Sequence, residues 1–442
     1  MKTLRRLLSN LITNKRILIL GFGREGESTL KKVLEGNSAA SVTVSDANDV
    51  SERVAAVAAG ANVNVISGPE YLKVLKDYDV VFKSPGVVLK DGESTLGNTV
   101  LTSETEVFMQ AYGDRVIGIT GTKGKSTTSS LIYHILKESG RDVLFGGNIG
   151  IPVFELADSV GEDTIIVLEL SCHQLEYLKT DPHVAILLNI YEDHLDHYGT
   201  RERYAASKKN IFAHQGADDF LFTTKETYEA EKLGGLCKSK YVPVSLDDAP
   251  FDSFESIEGV SLIGEHNRFN CGFAYRVLKE YGIGKEEFIK ALASFKPLEH
   301  RLERFLSFKG QDFYDDSIST TVKSCISAVE SVKNASVLLV GGMERNIDYS
   351  ELIEYLKDSK LDHVICMYES GRRIYDMLVN AKGKVKVSFR EDLKAATEFG
   401  VSVLRPEGAM ILSPAAASYG YFKNFEERGR EFKKIVNGLL KN

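Results

Sequence analysis

One stretch of the chain has the residue types and spacing for polyphosphate chemistry: Gly121-Thr122-Lys123-Gly124-Lys125-Ser126-Thr127-Thr128. An apolar run, Val116 to Thr120, leads into it, and a helical pattern from Ser129 to Lys137 comes after it. Strand, glycine-rich loop and helix in that order aim backbone N–H groups inward. The helix N-terminus adds positive potential, so phosphates bind there. Lys125 would reach the β- and γ-phosphates of ATP, and Ser126 would hold Mg²⁺. The match is to the short form G-x-x-G-K-S. The first glycine of the full Walker pattern would fall at Ile119, which is a departure.

Further candidates lie downstream of the loop. Thr164 to Ser171 is a buried-strand run with one carboxylate, Glu169, at its C-terminal end. In open parallel sheets that end carries ligands, and a lone Glu beside a phosphate loop suits Mg²⁺. A cap for the next helix is the plainer use of Glu169. Glu192-Asp193-His194-Leu195-Asp196-His197 comes after another strand, Val184 to Asn189. No cysteine or further histidine completes a tetrahedral zinc set nearby, so a histidine beside an octahedral Mg²⁺ fits better. Lys208 and Lys209 lie on an amphipathic helix and by default are solvated.

A second glycine-rich turn sits near the N-terminus. Arg16 to Leu20 reads as a buried strand, Gly21-Phe22-Gly23-Arg24-Glu25-Gly26 comes next, and Val42 to Ser45 is a strand ending at Asp46. This G-x-G-x-x-G in a βαβ unit, with an acid downstream, taken alone predicts NAD and an oxidoreductase. A nucleotide-sugar diphosphate needs the same glycines.

The elements that must position these residues alternate strand and helix throughout, which predicts an α/β protein of three domains. The N-terminal and C-terminal domains read as Rossmann-like and the central one as a P-loop ATPase-like parallel sheet. We place the boundaries at 1–112, 113–298 and 299–442. A chain of 442 residues exceeds one ordinary core. Apolar residues make up 43% and charged residues 26%, as in soluble globular proteins. The net charge of −7 gives no basic surplus for nucleic acid. The five cysteines form no C-x-x-C pair, which points to reduced thiols and a cytoplasmic protein. No apolar run is long enough to span a membrane. Met1 to Arg16 lacks the continuous apolar core of a signal peptide and reads as a short surface helix.

Taken together, the motifs resemble the Mur ligases, the ATP-dependent amide ligases of peptidoglycan precursor synthesis. The resemblance rests on G-T-K-G-K-S-T, Glu169 in L-E-L-S, Asn189 to His194 in N-x-x-E-D-H, Gly264 to Asn267, and His300-Arg301 in H-R-x-E. It covers nearly the whole chain. The segment from Ser413 through Gly429 is most similar to the branch that adds glutamate to UDP-N-acetylmuramoyl-L-alanine.

The resemblance implies roles for individual residues. Gly121, Thr122, Lys123, Gly124, Lys125, Ser126 and Thr127 cradle ATP, with Asn267, Arg301 and Asp316 on the rest of the nucleotide. Ser126, Glu169, His194 and Lys208 serve two Mg²⁺ ions, Lys208 as a carbamylated lysine. Lys125, Glu169, His194 and Lys208 form the catalytic set. Gly23, Arg24, Asp46, Ser84, Pro85 and Gly86 lie at the uridine side of the substrate, and Asn148 and His194 face its sugar. Arg345, Ser418, Tyr419 and Phe425 receive the incoming glutamate. The partners are then UDP-N-acetylmuramoyl-L-alanine, glutamate and ATP, with no nucleic acid and no membrane, for a monomer.

Two departures bear on the acceptor. Members that add D-glutamate usually read Asp-Ser-Lys where this chain has Asp316-Ser317-Ile318, and Arg345 stands where they have a lysine. Losing a cation removes a charge-assisted bond of about 1.5–3 kcal/mol. D-glutamate is expected, with L-glutamate the alternative. An NAD-dependent oxidoreductase and a non-catalytic ATP-binding protein are the rivals from other classes.

Overall fold

Seventeen strands among the described residues form three sheets in the computed structural model, which describes residues 4–89 and 96–440. The first sheet contains β1 (Arg16–Leu20), β2 (Ser41–Asp46), β3 (Asn64–Ser67), β4 (Val80–Lys83) and β5 (Val100–Thr102). All are parallel, in the order β3-β2-β1-β4-β5. Ile17 to Leu20 are fully buried, as the unbroken apolar run requires in a sheet covered on both faces. Before β1, the helix Leu4–Ile12 buries Leu4, Leu8 and Ile12, one side chain every four residues.

The second sheet contains β6 (Val116–Thr120), β7 (Val143–Gly147), β8 (Ile165–Glu169), β9 (Val184–Leu187), β10 (Phe220–Thr223) and β11 (Lys240–Pro243). It too is parallel, ordered β11-β10-β9-β6-β8-β7. The turn after β6 therefore lies between the ends of β8 and β9, where a strand order that runs both ways from β6 opens a crevice.

The third sheet contains β12 (Glu303–Phe308), β13 (Gln311–Asp315), β14 (Ala335–Val340), β15 (His363–Met367), β16 (Lys386–Arg390) and β17 (Ala409–Leu412), ordered β12-β13-β17-β14-β15-β16. It is mixed. β12 pairs antiparallel with β13 through the two-residue turn Lys309-Gly310, both at positive φ (49° and 81°). That turn type matches the twist of paired strands. A strictly alternating α/β reading has no place for this edge hairpin. The chain divides into two compact units: Met1–Asp252 with Phe269–Leu292, which holds the first two sheets, and Ser253–Arg268 with Ala293–Asn442, which holds the third. All five cysteines are free thiols. No helix among the described residues is long and apolar enough to cross a membrane.

Candidate active site

In the first unit the loop between β6 and the helix Lys125–Glu138 has a shape only glycine allows at two points. Gly124 has φ 88°, and a Cβ there would come within 2.7 Å of the Asn270 side chain. A Cβ on Gly121 would come within 2.9 Å of Leu188. The loop is held from outside by Asn189, whose side-chain oxygen accepts from the N–H groups of Thr122 and Lys123 at 3.0 and 2.9 Å. Thr122 Oγ1 and the Tyr204 hydroxyl lie 3.0 Å apart.

Two lysines converge on one carbonyl of this loop. Lys125 Nζ and Lys208 Nζ each donate to Gly121 O at 2.9 Å. Lys208, on the helix Arg201–Lys209, is 1% exposed, and its ammonium lies 4.8 Å from the centre of the Tyr204 ring. Burial, reinforced by the Lys125 charge, pushes the Lys208 amine down to about 7. Its neighbour Lys209 instead pairs with Glu231 at 3.0 Å. The helix thus turns one lysine inward and the other toward an ion pair, a distinction that adjacent positions in a sequence do not make.

Glu169 closes β8 and is 1% exposed. Its Oε1 accepts from Asn148 Nδ2 at 2.6 Å, and its Oε2 is buried with no hydrogen-bond partner among the described residues. A buried carboxylate oxygen left without a donor is costly unless a cation meets it. The residues present therefore fit a divalent cation. The helix-capping use of Glu169 is taken by Ser171, which forms a capping box with Gln174. His194 sits at φ 52° at the N-terminus of the short helix Leu195–Tyr198 and is a partly exposed side chain. Its ring lies 5.0 Å from that of His173 and 6.0 Å from that of Tyr204. Burial, then the neighbouring His197, pushes His173 down to about 4.

The first sheet adds its own loop to the same unit. Gly21 has φ 86°, and a Cβ on Gly26 would strike Gly21 O at 2.1 Å, so both positions need glycine. Asp46 Oδ2 accepts from Phe22 N–H at 2.7 Å, which fastens the acid to the loop itself. Ser84 Oγ donates to Gly21 O at 2.7 Å and brings the Ser84-Pro85-Gly86 turn against the glycines. Arg24 donates to Gly150 O, two residues from Asn148. Gln174 Nε2 donates to Glu25 Oε1 at 2.8 Å, and Lys83 pairs with Glu176 at 3.4 Å. These ties join the first loop to the helix after Glu169. Neither Gln174 nor Lys83 stands out in the sequence: Gln174 sits in a mixed polar stretch, Ser171 to Glu176, and Lys83 is a single lysine after the short apolar run Val80 to Phe82.

In the second unit the strand ends of β13, β14 and β17 gather Asp316, Arg345, Ser418 and Phe425, with Arg301 beside Asp316, whereas Asn267 lies on the helix Glu265–Leu278. Asp316 comes directly after β13, accepts from Leu302 N–H at 3.1 Å and from Ser413 Oγ at 2.7 Å, and is pushed up to about 7 by burial. Arg301 lies between His300 and Leu302. Asn267 donates from Nδ2 to Ile263 O at 2.8 Å. Arg345 is exposed on the turn after Gly341-Gly342, and an isolated bridge from Met343 to Ala417 brings that turn beside Ser418. Ser418 is buried, whereas Tyr419 is 58% exposed. Phe425 opens the last helix, Phe425–Leu440, and its carbonyl accepts from Ser317 Oγ at 2.8 Å. Ile318 is half-buried. Arg428 has no place among the residues singled out from sequence. It is fully buried and donates to Ser317 O, Ser317 Oγ and Ala416 O at 2.7–3.1 Å. Its sequence signals are a charge on the apolar face of a helix and its place in the segment from Ser413 through Gly429, which assigns it no role of its own.

Residues 119–248 match the Mur ligase middle domain. Over 451 residues the chain is 31% identical to UDP-N-acetylmuramoylalanine–D-glutamate ligase of Listeria innocua, covering 97% of each chain. The chain belongs to the Mur ligase family. A relative with the same description from Lacticaseibacillus paracasei is 32% identical over 450 residues, covering 96% of each chain. Among solved structures, the Mur ligase fold is matched by MurF ligase from Thermotoga maritima in complex with ADP. That match has a TM-score of 0.59 at 18% identity and covers 98% of this chain and 99% of that one.

Proposed function

We propose that the chain uses ATP to join D-glutamate to UDP-N-acetylmuramoyl-L-alanine in peptidoglycan precursor synthesis. The full-length likeness to D-glutamate ligases supports the substrates. The geometric observation that carries the reading is the convergence of Lys125 and Lys208 on the Gly121 carbonyl. It sits in the sheet whose neighbouring strand, β8, ends in Glu169 with its unpartnered buried oxygen. Lys125 is then the cation of a phosphate cradle, Lys208 a second amine beside it, and Glu169 a carboxylate at hand for a metal.

The chemistry needs no protein nucleophile. An oxygen of the substrate's terminal carboxylate attacks the γ-phosphorus of ATP, and ADP leaves. The glutamate amine attacks the resulting acyl phosphate at carbon, the amide bond forms, and inorganic phosphate leaves. Lys125 and the loop N–H groups hold and neutralise the phosphates. Ser126, Glu169 and His194 would hold Mg²⁺, which supplies charge neutralisation on the transferred phosphoryl group when bound. Lys208, pushed down to about 7 by burial and so partly neutral near pH 7, is suited to take up CO₂ as a carbamate, and this would give the site a second anionic ligand for a second ion. Gly23, Arg24, Asp46, Ser84, Pro85, Gly86 and Asn148 hold the UDP-sugar. Asn267, Arg301 and Asp316 hold the nucleotide, and Arg345, Ser418, Tyr419 and Phe425 hold the amino acid. We assign residues 1–112 to the UDP-sugar, 113–298 to ATP and 299–442 to glutamate, in a monomeric cytoplasmic enzyme.

Trapping tests the acyl phosphate. With ATP and the UDP-substrate but no glutamate, hydroxylamine should yield a hydroxamate of the UDP-substrate. Absence of that product, in a preparation that still ligates glutamate, would contradict the intermediate. The Ile318 departure favours one second reading, L-glutamate as the acceptor.

A further inference from the structure

The backbone on both sides of Arg301 is in the left-handed region. His300 has φ 64° and Leu302 φ 47°, and neither is glycine. Such residues persist only where their surroundings over-determine them, and they cluster at functional positions. Here the determinants are visible. His300 N–H donates to Glu303 Oε2 at 3.0 Å, and Leu302 N–H donates to Asp316 Oδ1 at 3.1 Å. His300 Nδ1 donates to Asp315 Oδ2 at 2.6 Å, with His300 2% exposed and Asp315 fully buried.

The second oxygen of Asp315 is engaged elsewhere. Its Oδ1 accepts from Ser317 N–H at 3.0 Å, in the turn that carries Ile318. Ile318 N–H in turn donates to His300 O at 3.2 Å. One buried carboxylate therefore fastens the Arg301 loop with one oxygen and the Ser317–Ile318 turn with the other. The last helix closes over this pair. A Cβ on Gly429 would lie 2.2 Å from His300 Nδ1 and 2.6 Å from Asp315 Oδ2, so only glycine fits. One turn on, Lys433 Nζ lies 2.5 Å from Glu303 Oε2 and 3.7 Å from Asp315 Oδ2, which supplies the cation that the buried acids require.

We propose that Asp315 is a positioning residue that couples the nucleotide-side loop at Arg301 to the acceptor-side turn at Ser317–Ile318, so that the two are set as one piece. The proposal rests on the assignment of Arg301 to the nucleotide and of this strand end to glutamate. A carboxylate has the two acceptors this needs, whereas an amide offers one acceptor and one donor. The hydrogen bonds of Arg428 brace the second half, through Ser317 and Ala416.

The test uses the full chain and three readouts: ADP affinity by calorimetry, the KM for glutamate, and the melting temperature. Asp315→Asn should weaken ADP affinity and raise the glutamate KM, each on the order of tenfold. Arg428→Lys should raise the glutamate KM and leave ADP affinity within about twofold. A merely structural role would lower the melting temperature and the active fraction without moving either constant. Arg301→Ala separates this proposal from the reading beneath it. If Arg301→Ala binds ADP as well as the wild type, the nucleotide assignment falls. If Arg301→Ala weakens ADP but Asp315→Asn moves only one of the two constants, the coupling is overturned. Should Asp315→Asn fail to fold, His300→Gln keeps the carboxylate and its bond to Ser317. Weakened ADP binding together with a raised glutamate KM in that variant supports the coupling, and a change in only one constant or in neither overturns it.

Discussion

The first unit contains the same backbone device twice. After β1, Gly21 to Gly26 turns into the helix Arg24–Gly36, and after β6, Gly121 to Gly124 turns into the helix Lys125–Glu138. Both loops use a left-handed glycine and both end at a helix N-terminus, the feature that attracts phosphate. The two differ in the side chains placed just beyond the glycines. The second loop leads into Lys125 and Ser126, with Lys208 delivered to it from another helix. The first leads into Arg24 and Glu25, whose carboxyl is pushed up to about 7 by burial and which accepts from Gln174. Asp46 takes one of its N–H groups. A shared backbone gives affinity for phosphates. On the proposed function, the side chains added to it decide whether a transferable, metal-neutralised triphosphate or an inert diphosphate is held.

That contrast can be broken at the second loop first. Lys125→Ala should lower turnover by at least about 10²-fold, because the lysine is held over the loop by the Gly121 and Thr122 carbonyls, where its charge meets the phosphates. Near-native phosphate release from that variant would remove the loop from the chemistry. Lys208→Ala should fall by a comparable factor, and short carboxylic acids should restore part of the rate while bicarbonate alone does not. Full activity without any additive would show that the buried lysine is only structural.

A next, smaller effect concerns the metal. Glu169→Gln preserves the size of the side chain but removes the charge, and the Mg²⁺ concentration for half-maximal rate should rise about 10-fold or more. An unchanged Mg²⁺ dependence would mean that the unpartnered oxygen serves something else. At the first loop the prediction sharpens the comparison. Arg24→Ala should raise the KM for the UDP-substrate by roughly tenfold and leave the KM for ATP alone. A shift in ATP instead would undo the division of labour between the two loops.

How much of this could be read without coordinates depends on range. Lys125, Ser126 and Glu169 were legible as candidates because strand, glycines and helix are local signals. The glycines of the first loop were equally legible, yet NAD and a nucleotide sugar remained open there, since the loop backbone serves both. Lys208 could not be told from Lys209 by pattern physics, because burial is set by Tyr204 and a loop 87 positions earlier in the chain. Asp315 and Arg428 did not stand out as candidates for the same reason: their partners come from the His300 loop, the turn at Ser317, the segment after β17 and the last helix. The Lys309-Gly310 hairpin was missed because two turn residues between short apolar runs are a weak signal beside the α/β rhythm.

The smallest effect is on stability. Lys208 titrates near 7 in the folded chain but at its ordinary, higher value when unfolded. Between those values the unfolded chain binds the extra proton, so the stability linked to this group rises as pH rises above about 7. In CO₂-free buffer, denaturant unfolding at about pH 7 and about pH 9 should show a gain that Lys208→Met lacks. Equal changes in the two proteins would place the amine outside the buried site.

The most direct measurement of the central claim is phosphate release from ATP with UDP-N-acetylmuramoyl-L-alanine, run in parallel with D-glutamate, L-glutamate and no amino acid. Sustained release driven by D-glutamate is the predicted result, and it would show that Ile318 is tolerated in the acceptor turn. Release driven only by L-glutamate would contradict the stereochemistry and make Ile318 and Arg345 its markers. No amino-acid-dependent release with either would contradict the ligase reading of these substrates.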